Sequence, residues 1–118
     1  MISGVHALIY SKQPEAVREF FRDVLGFPSV DEGGGWLIFA LPPAELGVHP
    51  TDGDGAHELY LMCDDVQATV DVLRAKGVEF DGDVIDAGFG LLTTILLPDG
   101  SKLGMYQPKH AIAHSLPR

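Results

Sequence analysis

The chain has 118 residues, 46% hydrophobic and 21% charged, which suits one domain with a real core and excludes a disordered tail. Eight Lys and Arg against seventeen Asp and Glu leave a net charge of -9, so nucleic acid and anionic membrane surfaces are disfavoured as partners. Cys63 is the only cysteine, which excludes an internal disulfide and any metal site of several thiolates and makes a reducing, cytoplasmic setting the expected one.

The first ten residues lack the basic-then-apolar pattern of an export signal, and no run reaches the roughly 20 apolar residues of a membrane helix. A strand is predicted at Gly4-Val5-His6-Ala7-Leu8-Ile9-Tyr10, closed by Ser11, Lys12 and Gln13. A helix follows: Pro14 suits its first position, Ala16, Val17, Phe20, Phe21, Val24 and Leu25 form an apolar stripe, and Gly26 stands where a left-handed cap belongs. Residues 36–41 and 45–49 are then predicted strands, separated by Pro42-Pro43 and ended by Pro50. Gly33-Gly34-Gly35 lacks the strand-to-helix setting of a phosphate loop and is predicted to be a mobile hairpin.

The same order then recurs. His57-Glu58-Leu59-Tyr60-Leu61-Met62-Cys63 is a predicted strand, and Asp64 or Asp65 caps a helix in which Val66, Val70 and Leu73 recur at helical spacing before Gly77. Strands at 78–80, 91–97 and 102–106 follow, the last two joined by a Pro98-Asp99-Gly100 turn. The expected fold is α+β, with two tandem βαβββ modules at 1–50 and 56–108 and a short tail at 109–118. No role is assigned to His110 or His114 in that tail.

With Leu25-Gly26-Phe27 after the first helix, Asp64-Asp65-Val66 opening the second and Pro98-Asp99-Gly100 before the last strand, this doubled unit resembles the vicinal oxygen chelate superfamily. That superfamily includes glyoxalase I, extradiol dioxygenases, methylmalonyl-CoA epimerase and the fosfomycin and bleomycin resistance proteins. The resemblance covers nearly the whole chain. It implies a cup-shaped mixed sheet with helices on its outer face, a small-molecule ligand in the cup, and a homodimer whose units complete each other's cups.

Side chains alternate across a strand, so parity sorts each one into a helix side and a cavity side. Val5, Ala7, Ile9, Leu46, Val48, Leu59, Leu61, Cys63, Leu103 and Met105 fall on the helix side, and Cys63 there reads as an inert thiol. His6, Tyr10, Glu45, His49, Glu58, Tyr60 and Tyr106 fall on the cavity side. Imidazole and carboxylate together suit a divalent zinc, nickel, manganese or iron ion.

In the superfamily, ligands come from the first and last strands of each unit. His6 matches the first such position and Glu58 the second, while Gly47 and Gly104 occupy the two late positions, where the family commonly carries Glu. His49 or Glu45, each two residues from Gly47, would have to complete the set.

Three functions follow, one of them a catalytically silent partner or regulatory subunit. In another, His6, Glu58 and His49 hold a divalent metal and Glu45 is a general base, in a lyase, isomerase or dioxygenase. In the third there is no cofactor, and a small-molecule binding or sequestering protein of the resistance type lines its pocket with Tyr10, Tyr60 and Tyr106. A His6 to Glu58 ion pair would satisfy both groups without metal. Trp36 and Phe39 are expected in the core, and His57 beside the helices at the sheet edge.

Overall fold

A computed structural model describes residues 6–117 of the chain. Helix α1 (Pro14–Glu19) starts at its proline and widens into a π-helical turn, Phe20–Val24, which turns Val17, Phe20 and Phe21 inward together. Strands β1 (Ser29–Asp31) and β2 (Leu37–Phe39) form an antiparallel hairpin pairing Ser29 with Phe39 and Asp31 with Leu37. Its tight end is the glycine triplet, where Asp31 Oδ1 accepts the Gly33 and Gly35 amides at 2.8 and 3.2 Å.

The second half of the chain forms β3 (Tyr60–Met62), α2 (Val66–Ala75), β4 (Glu79–Phe80), β5 (Ile85–Asp86), β6 (Gly90–Leu96) and β7 (Lys102–Pro108). Asp65 caps α2 by accepting the Ala68 amide at 3.0 Å, and Gln107 Oε1 reaches across from β7 to accept the Val66 amide at 3.0 Å. Gly77, at φ +88°, ends the helix, a left-handed conformation that only glycine adopts cheaply. The turn between β6 and β7 is closed by the Gly100 amide on Leu97 O at 2.8 Å. A 3-10 turn, Ala113–Ser115, ends the described chain.

The five strands run β3-β7-β6-β4, with β5 also on β6; β3 is parallel to β7 and the other pairings are antiparallel. One face of this sheet carries the core. Ile95, Leu97, Leu103 and Met105 pack there with Val66, Val70, Leu73 and Val78 and with Val17, Phe20 and Phe21 of the first helix. Leu59, Leu61, Cys63 and Phe39 join them, as parity and composition predict.

The first half departs from expectation. Gly4 and Val5 lie outside the described residues; His6, Leu8, Ile9 and Tyr10 are exposed and outside any strand. No strand forms over 44–50 either, and Leu46 and Val48, placed under the helices by parity, are 90% and 88% exposed. A strand needs a partner ladder, and Pro42, Pro43 and Pro50 each lack an amide donor. Trp36 is also corrected: it stands 63% exposed at the hairpin end, with the Arg18 guanidinium 4.9 Å from its ring centroid. His57, expected beside the helices at the sheet edge, is exposed and outside any strand.

Candidate functional site: an aromatic sheet face

The face opposite the helices holds the side chains of alternate parity: Tyr60 and Met62 from β3, Gly104 and Tyr106 from β7, and Gly90, Leu92 and Thr94 from β6. Tyr60 and Tyr106 meet edge to face, with centroids 5.9 Å apart, and Phe89 meets Tyr106 in the same way at 5.5 Å. Two glycines let these rings lie down. A Cβ on Gly104 would clash with the Cδ1–Cε1 edge of the Tyr60 ring, and one on Gly90 would stand 2.5 Å from Gln107 O and 2.9 Å from Tyr106 Cδ2. The floor is therefore built from tyrosine stacked on glycine, a cross-strand pairing that covers exposed backbone.

The chain after β7 returns to this face. The Lys109 amide donates to Phe89 O at 2.9 Å and its ammonium meets Asp86 at 2.6 Å, fixing the turn. His110 then stacks at a tilt 6.0 Å from the Tyr106 ring, with its Nε2 3.2 Å from the Tyr106 hydroxyl. Its Nδ1 lies 2.8 Å from Ala111 O. Glu45, whose side chain is only 13% exposed, accepts the Ala113 and His114 amides through Oε2 at 2.7 and 3.3 Å and holds Oε1 3.8 Å from His110 Nε2.

Both phenols are held in their neutral form. The nearby Glu58 carboxylate pushes Tyr60 above the ordinary tyrosine range, with burial acting in the same direction. Burial, then the Glu45 charge, raises Tyr106. Burial likewise raises the Cys63 thiol, which sits among core side chains and is a weak nucleophile there.

Of the residues singled out from the sequence, Tyr60, Tyr106, Glu58 and Glu45 are thus brought to one region. His6, His49 and Tyr10 are not. All three are exposed, Tyr10 at 89%, and the His49 imidazole lies back near Gly47. Glu58 raises the Tyr60 phenol, whereas the sequence suggested a pairing of Glu58 with His6. Among the described residues no three His, Cys, Asp or Glu side chains gather as a metal-binding group. Sequence reasoning missed His110 and Phe89. The available signal was spacing: His110 follows Tyr106 by four residues just past Pro108, where the strand must end and the chain turn.

The sequence model of the Glyoxalase/Bleomycin resistance protein/Dioxygenase superfamily matches residues 4–105. The chain belongs to this superfamily. No curated protein matches the chain. Among solved structures, the antibiotic binding protein TnmS3 from Streptomyces is 28% identical, with a TM-score of 0.67 over 92% of this chain and 98% of that one. A glyoxalase/bleomycin resistance protein from Streptomyces is 29% identical, with a TM-score of 0.55 over 82% of this chain and 92% of that one. A lactoylglutathione lyase from Agrobacterium tumefaciens shares the fold, with a TM-score of 0.63 over 90% of this chain and 94% of that one at 14% identity. The superfamily's description names enzymes and resistance proteins together, and the residues on the sheet face have to distinguish such roles.

Proposed function

We propose that this superfamily member binds or sequesters a small molecule with an aromatic part, laid on the floor formed by Tyr60, Tyr106 and Phe89. One observation carries the reading. Gly104, the position where the resemblance implies a glutamate ligand, has the Tyr60 ring across it, so an aromatic surface stands in the place of a metal-binding carboxylate. The likeness to a Streptomyces protein described as antibiotic binding supports it. Tyrosine and phenylalanine side chains give a large, rigid contact area at low entropic cost.

The donors expected for a divalent zinc, nickel, manganese or iron ion do not fit one. His6, His49 and Glu58 are exposed and do not gather into one metal-binding group, and Glu45, the expected base, has both oxygens turned to the tail. No metal-dependent lyase, isomerase or dioxygenase step is therefore assigned to them.

The complete cup is a property of a homodimer. Leu8, Ile9, Leu46 and Val48 are apolar, strand-patterned and exposed, and among the described residues no strand pairs with the outer edge of β3. A second copy supplies what those segments lack, and Tyr10 then joins the lining. No helix among the described residues is long and apolar enough to cross a membrane, and a lone unpaired Cys63 suits the reducing cytoplasm.

Thermal unfolding with a panel of aromatic compounds tests the reading. A ligand at about a hundredfold its Kd adds about 2.7 kcal/mol of stability. We expect at least one aromatic compound to raise Tm, with the shift lost in Tyr60→Ala and in Tyr106→Ala. No shift from any aromatic compound overturns the assignment.

A further inference from the structure

The donor and acceptor pattern of the aromatic face is fixed by groups behind it. His110 Nδ1 lies 2.8 Å from Ala111 O, and a carbonyl oxygen only accepts, so Nδ1 carries the proton. In the neutral ring Nε2 is then the acceptor, and its partner at 3.2 Å is the Tyr106 hydroxyl. The single O–H of Tyr106 is consumed by that bond, leaving the phenol oxygen only lone pairs to offer. The Tyr60 phenol stands under the influence of the Glu58 carboxylate, which keeps it protonated.

Around these two oxygens stand the Glu45 and Glu58 carboxylates, which also only accept. The nearby cation Lys109 is engaged by Asp86. Acceptors therefore outnumber donors where a bound molecule would meet the floor.

We propose that His110, by holding the hydroxyl proton of Tyr106, makes this face selective for planar aromatic ligands that donate a hydrogen bond, through a phenolic O–H or an N–H. The inference rests on the reading of the face as a ligand-binding floor. His110 is a positioning residue here, acting through Tyr106. Glu45 holds the tail segment that presents it, through the Ala113 and His114 amides. A ligand whose oxygen can only accept would face a lone pair and leave one polar group unpaired, which is where discrimination comes from.

The test uses the full chain and two probes of matched shape, a naphthol and its methyl ether, titrated calorimetrically. Wild type is expected to bind the naphthol about tenfold more tightly, the ratio a single net hydrogen bond provides. His110→Phe keeps a ring against Tyr106 and frees its hydroxyl to donate, so the ratio should fall toward unity through tighter binding of the ether. Tyr106→Phe should also abolish the ratio, through weaker binding of the naphthol.

A nitrogen NMR spectrum of His110 in the unliganded protein reads the tautomer directly. A neutral ring protonated at Nδ1 is expected, and an imidazolium or an Nε2–H ring at neutral pH overturns the proposal. Equal affinities for the two probes in wild type overturn it while leaving the aromatic floor standing. Failure of both probes to bind removes the floor reading and the selectivity together.

Discussion

The Tyr60 ring lies against the Cα of Gly104, its register partner on the parallel strand β7, so that a methyl group at that position would clash with the Cδ1–Cε1 edge of the ring. The pairing ties the floor to its backbone: Tyr60 can meet Tyr106 edge to face only because residue 104 has no side chain. Gly104→Ala should therefore either displace the Tyr60 ring or strain the pairing of β3 with β7, at a cost of about 1 to 3 kcal/mol. In a Tyr60→Ala background the same substitution should cost little, and a double-mutant cycle by denaturant unfolding measures the difference. Additive effects would mean that the ring does not bear on the glycine.

The alkaline titration of the two tyrosines checks their environment. Both are raised above the ordinary value of about 10, Tyr60 chiefly by Glu58 and Tyr106 chiefly by burial. The folded state thus favours the protonated phenols. Their contribution to stability is present below the unfolded value and is lost as pH rises through the raised folded values. Absorbance at the tyrosinate band should show two residues titrating late, and Glu58→Gln should bring Tyr60 down while leaving Tyr106 in place. An ordinary titration of Tyr60 in the wild type would contradict the influence of Glu58 on it.

The start of α2 has two caps from different parts of the chain, Asp65 to the Ala68 amide and Gln107 to the Val66 amide. Asp65→Ala should cost about 1 kcal/mol, the usual worth of an N-cap. Gln107→Ala leaves a buried amide without its acceptor beside Val66, and about 1 to 3 kcal/mol is expected. Gln107 also links helix to strand, so its loss should speed amide exchange in the first turn of α2. Unchanged exchange there would make the cross-chain cap dispensable.

The second half of the fold is legible in the sequence because its signals agree with one another. Asp65, the stripe Val66, Val70 and Leu73, and Gly77 all call for one helix, and the Pro98-Asp99-Gly100 turn sets the pairing of Leu96 with Lys102. Parity along β3 and β7 then places Tyr60 and Tyr106 correctly. It fails for Leu46 and Val48, because alternation names a face only when a neighbouring strand exists to make a sheet. Strand β5 is too short for any period to announce it.

The site was half legible for the same reason. Tyr60, Tyr106 and Glu58 belong to or adjoin strands whose register local pattern sets. His110 and Glu45 meet through a turn and a tail 65 residues apart in sequence, held by backbone amides that no side-chain pattern encodes.

The exposed segments 6–10 and 44–50 decide the assembly prediction. Leu8, Leu46 and Val48 present apolar surface in stretches patterned as strands, and among the described residues the outer edge of β3 has no ladder partner. If a second copy covers them, sedimentation should show a dimer whose dissociation on dilution lowers Tm, since dimer stability depends on protomer concentration. Leu46→Arg combined with Val48→Glu would place two desolvated charges in that interface and should give a monomer with its second-half core intact, because neither residue touches Ile95 or Met105. The monomer should also lose most of its affinity for aromatic ligands, as half of the enclosing wall would be gone. A wild-type monomer at all concentrations would defeat the dimer and leave the floor of Tyr60 and Tyr106 as an open surface.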